Sequence, residues 1–441
     1  MNRCLPLTLL LLILGSPLGY LGALWVGSTE VKLQILDQTQ VIGESTRIHV
    51  LAIGGHGVRE FEARLEQGEA RYILSKHEQA AKRWSLFRPV ESQRTFEFDA
   101  GSKAAPGLKD GRARLVIAAL SNDLRARETS VALELQVNTK PPGVSVEDIP
   151  RNFTLGGTGV VAFTASGYWT EAGVRLGRYN FRSFPMPKAG TPNRRICFFA
   201  IPYDIQEGDQ PVVFERNPSG AEAVTSFRQR IHWRKFRHRR IDLTDSFLNK
   251  VLRELDPGGA GRDPLVRFVK INNDMRQADG QRVQGLREKS ADHPLWNGPF
   301  RRLAGVAVEA QFCDYREYVK NGVRVDEQVH LGYDLASTKH APVRAANEGR
   351  VVHAGPLGIY GNTVVIDHGV GVQSLYAHLS EILVKADDVV TREQRVGLTG
   401  TSGLAGGDHL HFTMLVEGIP VDSKEWWDAR WLENRILSQM Q

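Results

Sequence analysis

Cysteine is nearly absent from this chain: three residues in 441, with no Cys-x-x-Cys pair. That excludes a disulfide framework and a cysteine-bound metal centre. Cys4 lies at the extreme N-terminus, and Cys197 and Cys313 are far apart, so the latter two are expected as separate buried thiols. A large charge excess is also missing. The 56 Lys and Arg against 50 Asp and Glu leave a net +6, with a pI of 9.2. With no nucleic-acid-binding motif beside it, that excess does not argue for nucleic acid, although it suits an anionic polymer or lipid surface. At 41% hydrophobic and 24% charged, the composition excludes bulk disorder.

Long apolar runs are equally scarce. The exception is Leu5 to Val26, which carries no charge and follows Arg3. Its length is enough for a hydrocarbon core, and Tyr20 and Trp25 suit an interface. Residues 1–28 therefore read as an uncleaved signal anchor in the inner membrane, a single-pass transmembrane helix with the bulk of the chain on the periplasmic or extracellular side. A signal peptide cleaved near Gly22-Ala23 is the competing reading.

Beyond this run the chain reads as mainly β. Val31-Lys32-Leu33-Gln34-Ile35-Leu36, Arg94-Thr95-Phe96-Glu97-Phe98 and Val131 to Val137 alternate apolar and polar, with glycine clusters between them. Residues 29–140 are expected as an immunoglobulin-like β-sandwich. Thr139-Lys140-Pro141-Pro142-Gly143 reads as a stiff linker, and 141–235 as a second such β-domain. Arg228 to Arg240 holds seven Lys or Arg, expected as a strand with one solvated basic face.

A helical connector is predicted over 236–298. Leu243, Phe247, Leu248, Val251, Leu252 and Leu255 recur at helical spacing, with Asp242 or Thr244 as N-cap and Gly258-Gly259 as the stop. A second helix runs roughly from Pro264 to Lys289. The pair is expected as a rigid connector rather than a lid. Residues 299–441 then form short strands and tight turns with no room for parallel crossovers, which predicts an antiparallel β-domain. It ends in a helix around Lys424 to Leu437 that packs Trp426, Trp427 and Trp431 back onto the sheet.

What this last domain has in abundance is histidine. Seven of the 13 histidines lie between His330 and His411. Neutral imidazole suits zinc and its neighbours. Side chains on a strand alternate faces, so His330 and Asp334, four apart, and His409 and His411, two apart, each project from one face. A hydrolytic zinc centre needs three protein ligands, an open position for water, and a nearby acid or base. His330, Asp334 and one of His409 and His411 could be the ligands. The other, with His378, would be left to move protons or stabilise an oxyanion. Spacing alone does not say which of His409 and His411 meets the metal. His340, His353 and His368 read as packed or surface residues, His368 as part of a turn before Gly369.

Several motifs here also carry a family resemblance: His330-Leu331-Gly332-Tyr333-Asp334, Pro342-Val343-Arg344-Ala345, Tyr360-Gly361-Asn362, Tyr376-Ala377-His378-Leu379-Ser380, Gly400-Thr401-Ser402-Gly403 and His409-Leu410-His411-Phe412. From about Phe300 to Trp431 the chain resembles the lysostaphin-type (LytM-like) zinc metallopeptidases, which cut peptide cross-links of bacterial peptidoglycan. The resemblance implies His330, Asp334 and His411 as ligands of one zinc ion, His378 and His409 as catalytic histidines, and a compact antiparallel domain of duplicated hairpins with the site in an open groove. Two departures, Ser423 after Asp422 and Thr391-Arg392-Glu393-Gln394 in place of a Lys-Gly-Gln-like turn, lie away from the metal. The expected function is a zinc-dependent endopeptidase acting on those cross-links in cell-wall remodelling. The alternative is a non-enzymatic regulator or activator of another wall hydrolase, and members of that kind generally lack some of the five groups.

Overall fold

The computed structural model describes residues 19–37, 39–81, 91–140, 142–147, 151–186, 191, 193–259 and 261–440. Of the described residues, strand accounts for 46% and helix for 17%, mainly β as expected. It divides into two compact units. The first comprises Met1–Pro142, Gly167–Thr170 and Arg216–Ala223; the second comprises Gly143–Ser166, Glu171–Glu215 and Val224–Gln441.

The expected membrane anchor is overturned. Among the described residues no helix is long and apolar enough to cross a membrane. Residues 1–18, most of the apolar run, lie outside the described residues, and the described part is a helix over 19–26 that ends in a turn at Gly27. The single-pass placement and the inner-membrane contact expected from that run therefore have no support in the described residues.

In the first unit, a three-stranded sheet (Lys32–Ile35, Thr46–Ile53, Gln93–Ala100) and a five-stranded sheet share one core. Alternation builds it. Ile48, Val50 and Ala52 point inward from one strand, and Phe61 of the larger sheet stacks on Phe96 of the smaller at 3.9 Å.

The second unit opens with an antiparallel sheet of Phe184–Pro185, Arg194–Ala200, Thr158–Ser166 and Gly143–Val146. Strand β1 (His238–Asp242) follows, then helix α1 (Asp245–Leu255) and helices α2 (Pro264–Lys270) and α3 (Arg276–Gly285), the last two joined by a wider turn at Ile271–Met275. Of the two candidate caps, Thr244 starts α1, its Oγ1 accepting the N–H of Phe247. The periodic face of α1 does what its spacing predicts: Leu248, Val251 and Leu252 are buried against Phe268, Ile271, Tyr318 and Ile359.

The strands that position the site are β2 (Ala307–Ala310), β3 (Asp314–Lys320), β4 (Val323–His330), β5 (Tyr333–Ala336), β6 (Gly349–Pro356), β7 (Asn362–Asp367), β8 (Val372–Leu379), β9 (Val389–Val390) and β10 (Leu410–Val416). They form one antiparallel sheet in the order β2-β5-β10-β8-β7-β6-β9, while β1, β3 and β4 form a separate three-stranded sheet. The C-terminal helical segment buries Trp426 against Phe198, Trp296 and Phe300, as its aromatic cluster suggested. Cys197 and Cys313 are both free and buried.

Arg237 of the basic segment pairs with buried Asp314 (Nε to Oδ1, 2.8 Å), and Arg234 pairs with Asp422 (2.9 Å). Part of that segment is therefore spent on carboxylates of its own unit rather than solvated throughout.

Candidate functional site

The loop between β4 and β5 sets the site. His330 ends β4 in one sheet, and Asp334 lies on β5 in the other. The four-residue spacing therefore acts through a bend between two sheets, not along one straight strand as the alternation argument assumed. Gly332 makes the bend possible, because a Cβ there would stand 2.6 Å from the ring of His411. Asp334 pairs in register with His411 of β10, and Ala377 of β8 pairs with His411 on its other side. His378 follows with φ +61°, a left-handed backbone that is rare outside glycine and turns its ring toward the same point. His409 precedes β10 and bridges to Gly400.

All five residues converge at the floor of a cleft of about 640 Å³, each with under a tenth of its surface exposed. His330 Nε2 lies 3.0 Å from Asp334 Oδ1 and 2.9 Å from His411 Nδ1, and His411 Nδ1 lies 3.1 Å from Asp334 Oδ1. His409 Nε2 is 3.4 Å from the same carboxylate oxygen. The rings of His378 and His409 are 4.9 Å apart.

The outer hydrogen bonds decide where the protons are. His330 Nδ1 donates to the carbonyl of Gln311 (3.0 Å), so in the neutral ring Nε2 is a bare lone pair. Thr413 donates its hydroxyl proton to the carbonyl of Leu331 (2.9 Å) and so accepts from His411 Nε2 (3.0 Å), which leaves His411 Nδ1 bare. Asp334 Oδ2 takes a hydrogen bond from Arg316 Nη2 at 2.6 Å. Three electron-rich atoms thus face one another at 2.9–3.1 Å with no proton of their own between them. Tetrahedral zinc would space such ligands about 3.3 Å apart. The donor set fits a cation of that kind, and among the described residues His330, Asp334 and His411 form the one group of three that could hold a metal ion.

His378 Nδ1 donates to the carbonyl of Ser402, and His409 Nδ1 to that of Gly407, both at 2.8 Å. Each therefore presents Nε2 to the cleft. Burial lowers His330, holds His411 at about 4, and drives His378 well below the ordinary histidine value. For Asp334 burial pulls upward, yet the three histidines around it hold it well below the usual carboxylate range. In His409 burial opposes the charged form, but the hydrogen bond and charge of Asp334 outweigh it and raise the ring above its ordinary value. The ligand-type imidazoles are thus neutral and the carboxylate ionised, as metal binding requires.

Residues 328–423 match the model of peptidase family M23. Over 94 residues the chain is 43% identical to the peptidoglycan DD-endopeptidase ShyA of Vibrio cholerae, a match covering 21% of this chain and 22% of that protein. Over 95 residues it is 39% identical to the DD-carboxypeptidase/endopeptidase Mpg of Neisseria meningitidis, covering 22% of each. It is also 34% identical over 95 residues to the murein hydrolase activator EnvC of Escherichia coli, covering 22% of this chain and 23% of the other. The chain thus matches only about a fifth of each of these relatives.

The cleft is not built from the matched segment alone. Arg239 and Ile241 of β1, Phe247 of α1 and Arg276 of α3 line it too. Sequence reasoning missed these residues, as it missed Gln311, Arg316, Ser402, Gly407 and Thr413. Gly407 and Thr413 lie two residues from the histidines they hold, yet nothing in their spacing announces that role, and the others reach the site only through packing across longer separations. His368, expected in a turn, is fully buried outside the site, with Nδ1 donating to the carbonyl of Glu348 and Nε2 beside Ser374 Oγ.

Proposed function

We propose that this protein is a zinc-dependent endopeptidase that hydrolyses peptide cross-links of bacterial peptidoglycan. The observation that carries the reading is the set of three bare lone pairs at His330 Nε2, Asp334 Oδ1 and His411 Nδ1, with two further imidazoles beside them. Those three residues would hold one zinc ion. Bound there, zinc would act as a Lewis acid toward the scissile carbonyl and bring a water's pKa down to about 7. Gln311, Thr413 and Arg316 keep the ligand atoms deprotonated and aimed.

His378 and His409 share the proton transfers. With Nδ1–H tied to a backbone carbonyl, each ring accepts a proton at Nε2 and becomes a donor once it has done so. One takes the proton of the attacking water, and a protonated ring steadies the developing oxyanion and returns a proton to the departing amine. The substrate class follows from the names of the relatives above. The alternative, a non-enzymatic activator of another wall hydrolase, would leave the five groups without employment.

We infer the five-part division 1–28, 29–140, 141–235, 236–298 and 299–441, with the two N-terminal β-domains as immunoglobulin-like modules for spacing or docking. Mass spectrometry of muropeptides before and after digestion tests the activity, with His330→Ala as the inactive control. Release of cross-link fragments that survives zinc chelation, or no release at all, overturns it.

A further inference from the structure

Helix α1 grips the loop that holds His378. Lys250 Nζ donates to the carbonyls of Thr401, Gly403 (2.8 Å) and Ala405 (3.3 Å), and Glu254 Oε1 accepts the N–H of Gly403. The two side chains, one turn apart, also pair with each other at 3.3 Å. The N–H of Gly403 and the carbonyl of Ser402 belong to one peptide plane. That carbonyl accepts His378 Nδ1–H at 2.8 Å. Glu254 and His378 therefore engage opposite ends of a single peptide unit. A carboxylate on the N–H polarises the unit, strengthening the carbonyl as an acceptor, and it also fixes the tilt of the plane. Ser402 Oγ secures the other side of the loop, donating to the carbonyl of Leu379 (2.8 Å) and accepting the N–H of Asn362 (2.9 Å). Gly403, at φ +72°, has no room for a side chain against the backbone of Ile359 and Gly361.

We propose that Glu254, buttressed by Lys250, is a positioning residue for His378, acting through the Ser402–Gly403 peptide. The helical segment outside the M23 match is then part of the catalytic apparatus. His378 has no carboxylate of its own on Nδ1, and the peptide relays one to it: the orientation of Nε2 comes from a side chain two hydrogen bonds away. This inference rests on the peptidase reading, since His378 matters only if it moves protons.

The experiment compares Glu254→Leu, Glu254→Gln and Lys250→Met in the full chain, with zinc content measured for each. Because about 1 Å of misplacement can cost a hundredfold in rate, Glu254→Leu is expected to lower kcat on peptidoglycan about ten- to a hundredfold, with KM within about twofold. Glu254→Gln keeps an oxygen acceptor at the same place and is expected to recover most of that loss. Lys250→Met keeps the aliphatic stem, loses the three donor bonds, and is expected to fall between. Nitrogen-15 NMR of the imidazoles supplies a readout independent of turnover: the His378 Nδ1–H resonance exchanges faster with water in Glu254→Leu and is restored in Glu254→Gln. An unchanged kcat with an unchanged Nδ1–H signal overturns the inference. So does a rise in kcat, which would make α1 an obstruction, or a loss in which zinc content falls and Glu254→Gln gives no recovery. If the wild-type protein cleaves no peptidoglycan, the peptidase reading fails, and the Nδ1–H exchange still decides the positioning.

Discussion

Thr413→Val is the sharpest test of the lone-pair argument. The substitution is close to isosteric and leaves every proposed ligand in place. It removes the acceptor that keeps the proton of His411 on Nε2 and the donor that satisfies the Leu331 carbonyl. Thr413 is 2% exposed, so water does not replace the lost partner. A buried Nε2–H without an acceptor costs about 1–3 kcal/mol. His411 can escape that cost by moving its proton to Nδ1, the atom that would bind the metal. Metal binding must then reverse the shift, so the cost reappears as lost affinity. The range agrees with the about 10- to 100-fold loss seen when such outer partners of metal-bound histidines are removed. Zinc affinity measured by competition with a chromogenic chelator should fall by that factor, with the far-ultraviolet dichroism unchanged. A Thr413→Val protein that binds zinc within about twofold of wild type would refute the claim that outer hydrogen bonds set the tautomer.

Three further outcomes follow from the same geometry. Burial holds His368 and His411 at about 4 against an ordinary 6.5, and also lowers His378 well below its ordinary value. At these histidines the unfolded chain therefore binds protons first, so the stability they contribute is fully present above about pH 6.5 and is lost as the pH falls toward 4, while His409, shifted upward, and buried Glu425 and Glu215, pushed up to about 8 and about 7, act in the opposite direction. Zinc-stripped wild type should lose more urea midpoint between pH 7 and pH 5 than a zinc-stripped His368→Gln variant, and an equal change in the two would count against this. Glu417 is wholly buried and held by Arg182 through two bonds of 2.8 and 3.0 Å, so Arg182→Ala should cost about 3 kcal/mol in thermal unfolding, largely restored by adding Glu417→Gln. Removing zinc with a chelator should abolish cross-link cleavage, and adding zinc back should restore it in wild type but not in His330→Ala.

The sequence by itself singled out the five side chains that meet in the cleft. His409 and His411 are two apart before a run of strand-forming residues, so one face had to carry both, and near-absence of cysteine removed the thiolate alternative. The periodic apolar face of α1 and the alternation of the early strands were likewise readable, because burial on one face writes itself into local spacing. The apolar run at the N-terminus misled for the same reason: hydropathy reports that a segment prefers a dry environment, and the described part of it is one short helix.

Only the tertiary structure decided how the groups meet. His330 and Asp334 come from different sheets, joined by a bend that Gly332 permits. The tautomers of four histidines depend on Gln311, Thr413, Ser402 and Gly407, and the setting of His378 on Glu254, 124 residues before it. A hydrogen bond needs its partner placed within a few tenths of an ångström. Strand periodicity can assign a side chain to a face, but that placement exists only once the sheets have packed.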